Sequence, residues 1–180
     1  MVAARSDVVK AVLTAVSSEE YFQPGCEHSE IEQHPGSVSH TAVCTAHFDK
    51  DVKLVFTLPT SSKNVYVTVT DGSTIAVQRI LSAIEGAEQE FGIELGKVLQ
   101  IDDPEMKARD LCAVIFLPPS TFNVLDHVPL DVEVGDATYR LLGVFFMSEK
   151  DNEIRKKQGH DALMDYWTAI GKDTISFGHS

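Results

Sequence analysis

Two apolar runs in the second half of the chain constrain the fold more than any other feature of the sequence. The first is Leu111–Leu117, which is followed at once by Pro118 and Pro119, and the second lies within residues 139–147. Short runs in which polar residues do not alternate are typical of strands covered on both faces. Proline has no N–H for a sheet hydrogen bond, so the first strand must end at Pro118. The sequence therefore predicts two interior strands of one sheet.

The segment after the second run has the pattern of a helix with a break. Ser148 is a favoured residue before a helix, and Asp151 stands three positions further on, as in a capping box. Leu163 and Trp167 lie on an apolar stripe at helical spacing, whereas the apolar position before Gly159 is out of phase with that stripe. The pattern predicts two helical segments that meet near Gly159, the second of which covers the sheet through Trp167.

The rest of the chain alternates between strand-like and helix-like spacing of apolar residues. The predicted elements are a helix over 6–17, a strand meander over 41–70, a helix over 74–91, an edge strand within 93–101 and a hairpin over 130–147. Residues 18–40 are rich in Glu, His, Gly and Pro and predict a loop, with room for one short strand, and residues 171–180 predict a frayed tail.

These elements indicate an α/β (α+β) fold. A chain of 180 residues suits one domain, and no repeat or linker divides it. We therefore expect a single domain over residues 1–180, with a mixed, largely antiparallel sheet packed by three or four helices.

The charge of the chain narrows the class of its partners. It has 27 acidic and 15 basic residues and a net charge of −12. This excess disfavours nucleic acids and anionic membranes, which are bound through clustered Lys and Arg. It permits a basic protein partner, although solubility alone also explains it. No window is apolar enough for a membrane span or a signal peptide, so the expected location is the cytosol.

One group of metal-ligand residue types lies in the first third of the chain. Its members are Cys26, His28, His34, His40, Cys44 and His47. Zinc requires three or four converging ligands, yet the spacings are irregular, and residues three apart on a strand point to opposite faces. Two interpretations stay open: solvated loop histidines, which we favour, or the metal site of a small metal-dependent hydrolase that uses residues 26–47.

The other chemical candidates are weaker. Glu149 and Glu153 lie one helical turn apart and are better explained by the positive end of the helix dipole than by a shared metal or proton. His160 and Asp161 are adjacent on a helix and do not face each other. The sequence has no nucleophile elbow, dinucleotide-binding loop or Walker loop. We therefore predict no catalytic residue, no cofactor and no metal, and expect that the chain is not an enzyme.

Residues 111–170 resemble the C-terminal half of suppressor-of-fused-like domains. The resemblance rests on a buried strand that ends in Leu-Pro-Pro, a Gly-Asp hairpin and the stretch YRLLGVFFMSEKDNEIRKKQGHDALMDYW. The positions that match the family pattern, as structural or interaction residues, are Pro118, Pro119, Glu149, Glu153, Gly159 and Leu163. Residues 1–70 depart from anything that we can align with the family.

This resemblance implies a single mixed α/β domain that binds proteins and has no known catalysis. The animal member restrains a transcription factor of Hedgehog signalling, and bacterial relatives of similar length are thought to include immunity proteins that neutralise toxins. We expect a cytosolic, non-catalytic protein-binding module of the bacterial, immunity type. The alternatives are the metal-dependent hydrolase and a ligand-binding domain with a pocket between sheet and helices.

Overall fold

The period-two segment of the chain folds as an antiparallel meander. The computed structural model describes residues 5–16, 27–34, 37–59 and 62–175. Four strands form the meander, and each pairs with the next: β1 (Glu27–His34), β2 (Ser37–Thr45), β3 (Lys53–Thr57) and β4 (Asn64–Thr70). Thr, Val and aromatic side chains, which fit a pleated sheet, supply much of β2, β3 and β4.

Four further strands complete the sheet. They are β5 (Val98–Gln100), β6 (Leu111–Leu117), β7 (Asp131–Val134) and β8 (Ala137–Ser148). The order is β1-β2-β3-β4-β8-β6-β5, and β7 also pairs with β8. Only the β4–β8 pair is parallel among the described strands, and the others are antiparallel. The two apolar runs are neighbours, with Phe116 opposite Val144, so the predicted pair of interior strands is confirmed.

Five α-helices pack on the sheet within the described residues. They are α1 (Arg5–Val16), α2 (Thr74–Phe91), α3 (Pro104–Ala108), α4 (Glu149–Gln158) and α5 (His160–Ile170). The break between α4 and α5 falls at Gly159, as predicted. The predicted mixed, largely antiparallel sheet packed by helices is confirmed, as is its single-domain α+β architecture. The described helices number five rather than three or four, because the short α3 was not predicted. None of the described helices has the length and apolar character needed to cross a membrane.

The sheet has an apolar core on each face because side chains alternate along its strands. One core lies under α2, where Val114 and Phe116 of β6 face Ile80 and Leu81. The other is covered by α1, α5 and the segment that follows β6, and it contains Trp167. The central strands are therefore buried on both sides.

The predicted loop over residues 18–40 is wrong for 27–34 and 37–40, which form β1 and the start of β2. Glu27 pairs with Val43 and Ile31 with Ser39, so the backbone ladder builds β1 although its sequence is mostly polar. Polar and charged residues are common on edge strands, where they discourage pairing with other chains. Residues 18–26 and 35–36 lie outside the described residues.

The predicted frayed tail is wrong for residues 171–175. The N–H of Asp71 donates to the C=O of Ile175 at 3.1 Å, and Lys172 Nζ donates to the Asp151 carboxylate at 3.1 Å. Ile175 also packs against the core beneath α1 and α5. Residues 176–180 lie outside the described residues.

Candidate functional site

The Leu-Pro-Pro corner at the end of β6 packs directly against β8. Pro119 is buried and begins a short 3₁₀ turn after Pro118. Across from it, a Cβ added at Gly143 would lie 2.8 Å from the Leu117 carbonyl oxygen and 3.3 Å from Pro119 Cα. The close packing of this corner therefore leaves no room for a Cβ at position 143.

The start of α4 is tied to α5 by one buried carboxylate. The Ser148 hydroxyl accepts from the Asp151 N–H at 3.1 Å, and Asp151 accepts from the Ser148 N–H at 2.9 Å, which confirms the capping box. Trp167 Nε1 donates to the same carboxylate at 2.9 Å. Lys172 Nζ also donates to it and lies 4.5 Å from the centroid of the Trp167 ring. This cluster locks the two helices together.

The surroundings of Asp151 favour its charged form. Burial on its own would raise the pKa of this carboxyl, but the hydrogen bonds from Ser148 and Trp167 and the charge of Lys172 outweigh it. The pKa of Asp151 is therefore held below its ordinary value. A carboxylate with every oxygen engaged by the protein is a structural group, not a proton donor poised for catalysis.

The other positions of the family pattern divide into core and surface. Leu163 is fully buried on the face covered by α5, and Gly159 has a φ of 95° that favours glycine. Glu149 and Glu153 are exposed on α4. Glu149 lies beside Cys112, where burial first and then the carboxylate raise the pKa of the thiol.

The Cys/His group is not assembled into a site by the described residues. Cys44 is fully buried in the core beneath α1, whereas His47 is exposed. His40 Nδ1 lies 3.6 Å from the Glu30 carboxylate. No three His, Cys, Asp or Glu side chains among the described residues are placed to hold a metal ion. Cys26 and the side chains of His28 and His34 lie outside what the structure describes.

A polar cluster that the sequence patterns did not reveal lies between α2 and the meander. We call it the α2 carboxylate cluster, and its members are Ser39, Asn64, Tyr66, Glu85 and Glu88. The Ser39 hydroxyl donates to Glu85, and Asn64 Nδ2 donates to Glu88 Oε1 at 2.5 Å. Tyr66 is fully buried, and its hydroxyl lies beside the side chains of Asn64 and Glu88.

Two ionisable groups of this cluster, Glu85 and Tyr66, have pKa values above their ordinary range. Burial raises the pKa of Glu85 to about 7, the charge of Glu88 adds to the rise, and the Ser39 hydrogen bond opposes it. Burial, followed by the charge of Glu88, also raises the pKa of the Tyr66 hydroxyl. The described residues form no ion pair with Glu85 or Glu88. The cluster thus holds two carboxylates one helical turn apart on α2.

The sequence reasoning missed this cluster because its members come from β2, β4 and α2. Residues 39 and 85 are 46 positions apart, and no local motif links them. The one available signal was a pair of acids on the apolar side of a predicted helix, at positions 85 and 88.

Two open depressions lie elsewhere on the surface. One, of about 490 Å³, separates α1 from β7, and the other, of about 510 Å³, lies between the β2–β3 and β4–α2 connections. Both open to solvent, and neither is an enclosed cavity.

No protein-family model and no curated protein matches this sequence. Among solved structures, the chain is similar to the crystal structure of a protein described as a SUFU (suppressor of fused protein) homolog from Neisseria gonorrhoeae FA 1090. The TM-score is 0.71 at 9% sequence identity, and the match covers 98% of this chain and 94% of that chain. The suppressor-of-fused-like fold expected from residues 111–170 is confirmed and extends over nearly the whole chain.

Proposed function

We propose that this chain is a non-catalytic protein-binding module of the immunity type, which engages and neutralises a basic protein in the bacterial cytosol. The observation that carries the proposal is the acidic excess, −12 in 180 residues, on a domain with a suppressor-of-fused-like fold. An acidic surface steers a basic partner into encounter and rejects acidic competitors.

The use of polar groups within the domain supports a binding role over a catalytic one. The buried carboxylates Asp103 and Asp151 serve the scaffold: Asp103 caps α3 and accepts from Arg79 Nε at 2.9 Å, and Asp151 ties α4 to α5. Glu149 and Glu153 are exposed on α4, where they are available for partner contact.

The proposal is tested by isolating the full chain with its partner from its own host. We expect a stoichiometric complex with a basic protein, whose association rate falls as salt rises because screening weakens long-range attraction. If the partner is a toxin, coexpression of this chain should restore growth of cells that produce it. The proposal is wrong if no stoichiometric partner is recovered, or if the recovered partner is acidic and binds independently of salt.

A further inference from the structure

The depression between α1 and β7, of about 490 Å³, is a groove at the margin of the sheet. Its apolar lining consists of Ala11 and Ala15 from α1 and of Val132 and Val134 from β7. Ala11, Val132 and Val134 also belong to the core beneath α1 or pack against it. The groove therefore borders that core and opens it to solvent at one place.

The groove lies at the outer edge of β7, the edge that faces away from β8. Its described lining includes Glu133 but no residue of β8. Glu133 accepts from the Thr138 hydroxyl at 2.9 Å, so its side chain lies on the face opposite to that of Val132 and Val134. A groove that touches Glu133 as well as these valines must pass beside the strand rather than beneath it.

The same edge of β7 has backbone groups that the sheet does not use. Of the described strands, only β8 pairs with β7. The N–H of Leu141 donates to the C=O of Leu130 at 2.7 Å, and hydrogen-bonded pairs alternate with non-bonded pairs in an antiparallel ladder. Val132 therefore bonds to β8, whereas the N–H and C=O groups of Asp131 and Glu133 point outwards.

The exposed face of β7 is acidic. Asp131 and Glu133 are exposed on this face, and Asp7 lies on the α1 side of the groove. Lys10 is the one basic residue among the described residues of the lining. A strand laid along this edge would have an apolar groove on one side and an acidic surface on the other.

We propose that the outer edge of β7 binds an extended segment of the basic partner, which joins the sheet as a further strand. This inference rests on the proposed function and assigns the surface that holds the partner. Successive side chains of a strand point to opposite faces. The segment therefore alternates apolar residues, which enter the groove beside α1, with Lys or Arg residues, which lie against Asp131 and Glu133. Backbone hydrogen bonds supply the affinity, and the alternate side chains supply the specificity.

Charge favours such a segment over a second copy of this chain. Two β7 edges paired with each other would bring Asp131 and Glu133 of both copies together, and like charges on neighbouring strands are destabilising. A basic segment instead meets charges of opposite sign.

The test is a fluorescence-anisotropy titration of the full chain with a labelled, acetylated peptide in which valine and lysine alternate. We expect saturable binding that weakens as salt rises. Glu133→Pro removes an outward N–H but no hydrogen bond to β8, and should weaken binding about tenfold. The matched control is Glu133→Ala, which loses the same carboxylate but keeps the N–H, and should weaken binding only about threefold.

Changes to the peptide test the same site without altering the fold of the chain. Serine in place of valine removes the side chains that enter the groove, and glutamate in place of lysine reverses the charge, so each should weaken binding about tenfold or more. Equal affinity for all three peptides, or for Glu133→Pro and Glu133→Ala, overturns strand addition at β7. Self-association of the chain that Glu133→Pro abolishes assigns the edge to a second copy and overturns the assignment to a partner.

The inference and the proposed function fail in different ways. If a basic partner is recovered and binds the wild type and Glu133→Pro equally well, the β7 edge is not its site and the proposed function stands. If the alternating peptide binds as expected but the chain yields no stoichiometric partner, the proposed function fails and the β7 site stands.

Discussion

The pKa values of two carboxyl groups in this domain, Asp151 and Glu85, are shifted in opposite directions by their neighbours. Asp151 accepts from two N–H groups and an ammonium, and these interactions hold its pKa low against the effect of burial. Glu85 has one hydroxyl donor and a second carboxylate nearby, so burial prevails and its pKa rises to about 7. The same residue chemistry therefore makes Asp151 a charged structural anchor, whereas the raised pKa of Glu85 favours its neutral form.

Replacing Glu85 by Gln should remove a pH dependence of stability. Because its folded pKa lies above its unfolded value, the folded chain binds more protons, and stability falls as pH rises from about 4.5 to about 7. We expect Glu85→Gln to be more stable than the wild type by about 1–3 kcal/mol at about pH 8, with the difference vanishing near pH 4. Urea denaturation across this range checks it, with Glu90→Gln as control. An unchanged pH profile in Glu85→Gln would contradict the assignment.

Replacing Asp151 by Asn should destabilise the domain. The change leaves the partly buried Lys172 without its counter-charge and weakens the bond from Trp167, at a cost of about 2–4 kcal/mol. Since the folded pKa of Asp151 is depressed, this stabilisation is present above about pH 4 and is lost as pH falls further. Chemical denaturation followed by the fluorescence of Trp167 measures both effects. Asp161→Asn, at an exposed site on α5, should change stability little.

Helices and strands that bury an apolar face were predictable from the sequence, whereas the polar edge strand β1 was not. The apolar stripe of α2 gave its bounds as 74–91, and the change of phase around Gly159 gave the break between α4 and α5. β1 was missed because an edge strand with polar side chains has no apolar period, and its conformation comes from pairing with β2. The spacing of apolar residues indicates which face of an element is buried. It therefore gives no signal for a strand that forms through backbone pairing with its neighbour alone.

Glycine at position 159 should be required for the turn between α4 and α5. Its φ of 95° and ψ of 176° lie in a region that side chains avoid. Gly159→Ala should therefore lower the free energy of unfolding by about 1–3 kcal/mol, although a Cβ there meets no neighbouring atom. Urea denaturation compared with His160→Ala, the exposed next residue, separates backbone strain from lost contacts. Equal stability of Gly159→Ala and the wild type would show that the turn tolerates a side chain.

At the scale of the whole molecule, the sequence predicted the layers but not the order of the strands. Nothing in the spacing of residues 64–70 indicates that they run parallel to β8, because this pairing depends on how α2 and the following strands cross the sheet. The α2 carboxylate cluster was missed for the same reason, since Ser39, Tyr66 and Glu85 meet only once the meander and α2 are packed. Sites assembled from distant segments follow from topology, which local patterns do not encode.

The sheet lies between two cores and joins them into one folding unit. This arrangement predicts how the stability losses of substitutions on opposite faces combine. Ile80 packs in the core beneath α2 and Leu163 in the core beneath α5, and each side chain is almost wholly buried. Ile80→Ala and Leu163→Ala should each cost about 2–5 kcal/mol because each leaves a cavity. The two sites belong to separate clusters, so the double variant should lose the sum of the two costs within about 0.5 kcal/mol.

The shared strands should also keep unfolding cooperative in these variants. Val114 and Ile115 are neighbours on β6 that belong to opposite cores, so neither core can open without disturbing the backbone of the other. Urea transitions followed by Trp167 fluorescence and by far-ultraviolet circular dichroism should therefore coincide in every variant, with an unchanged dependence on urea. Two separate transitions, or a reduced urea dependence in Leu163→Ala alone, would mean that the α5 face unfolds independently. In that case Leu163 would stabilise a local unit rather than the whole domain.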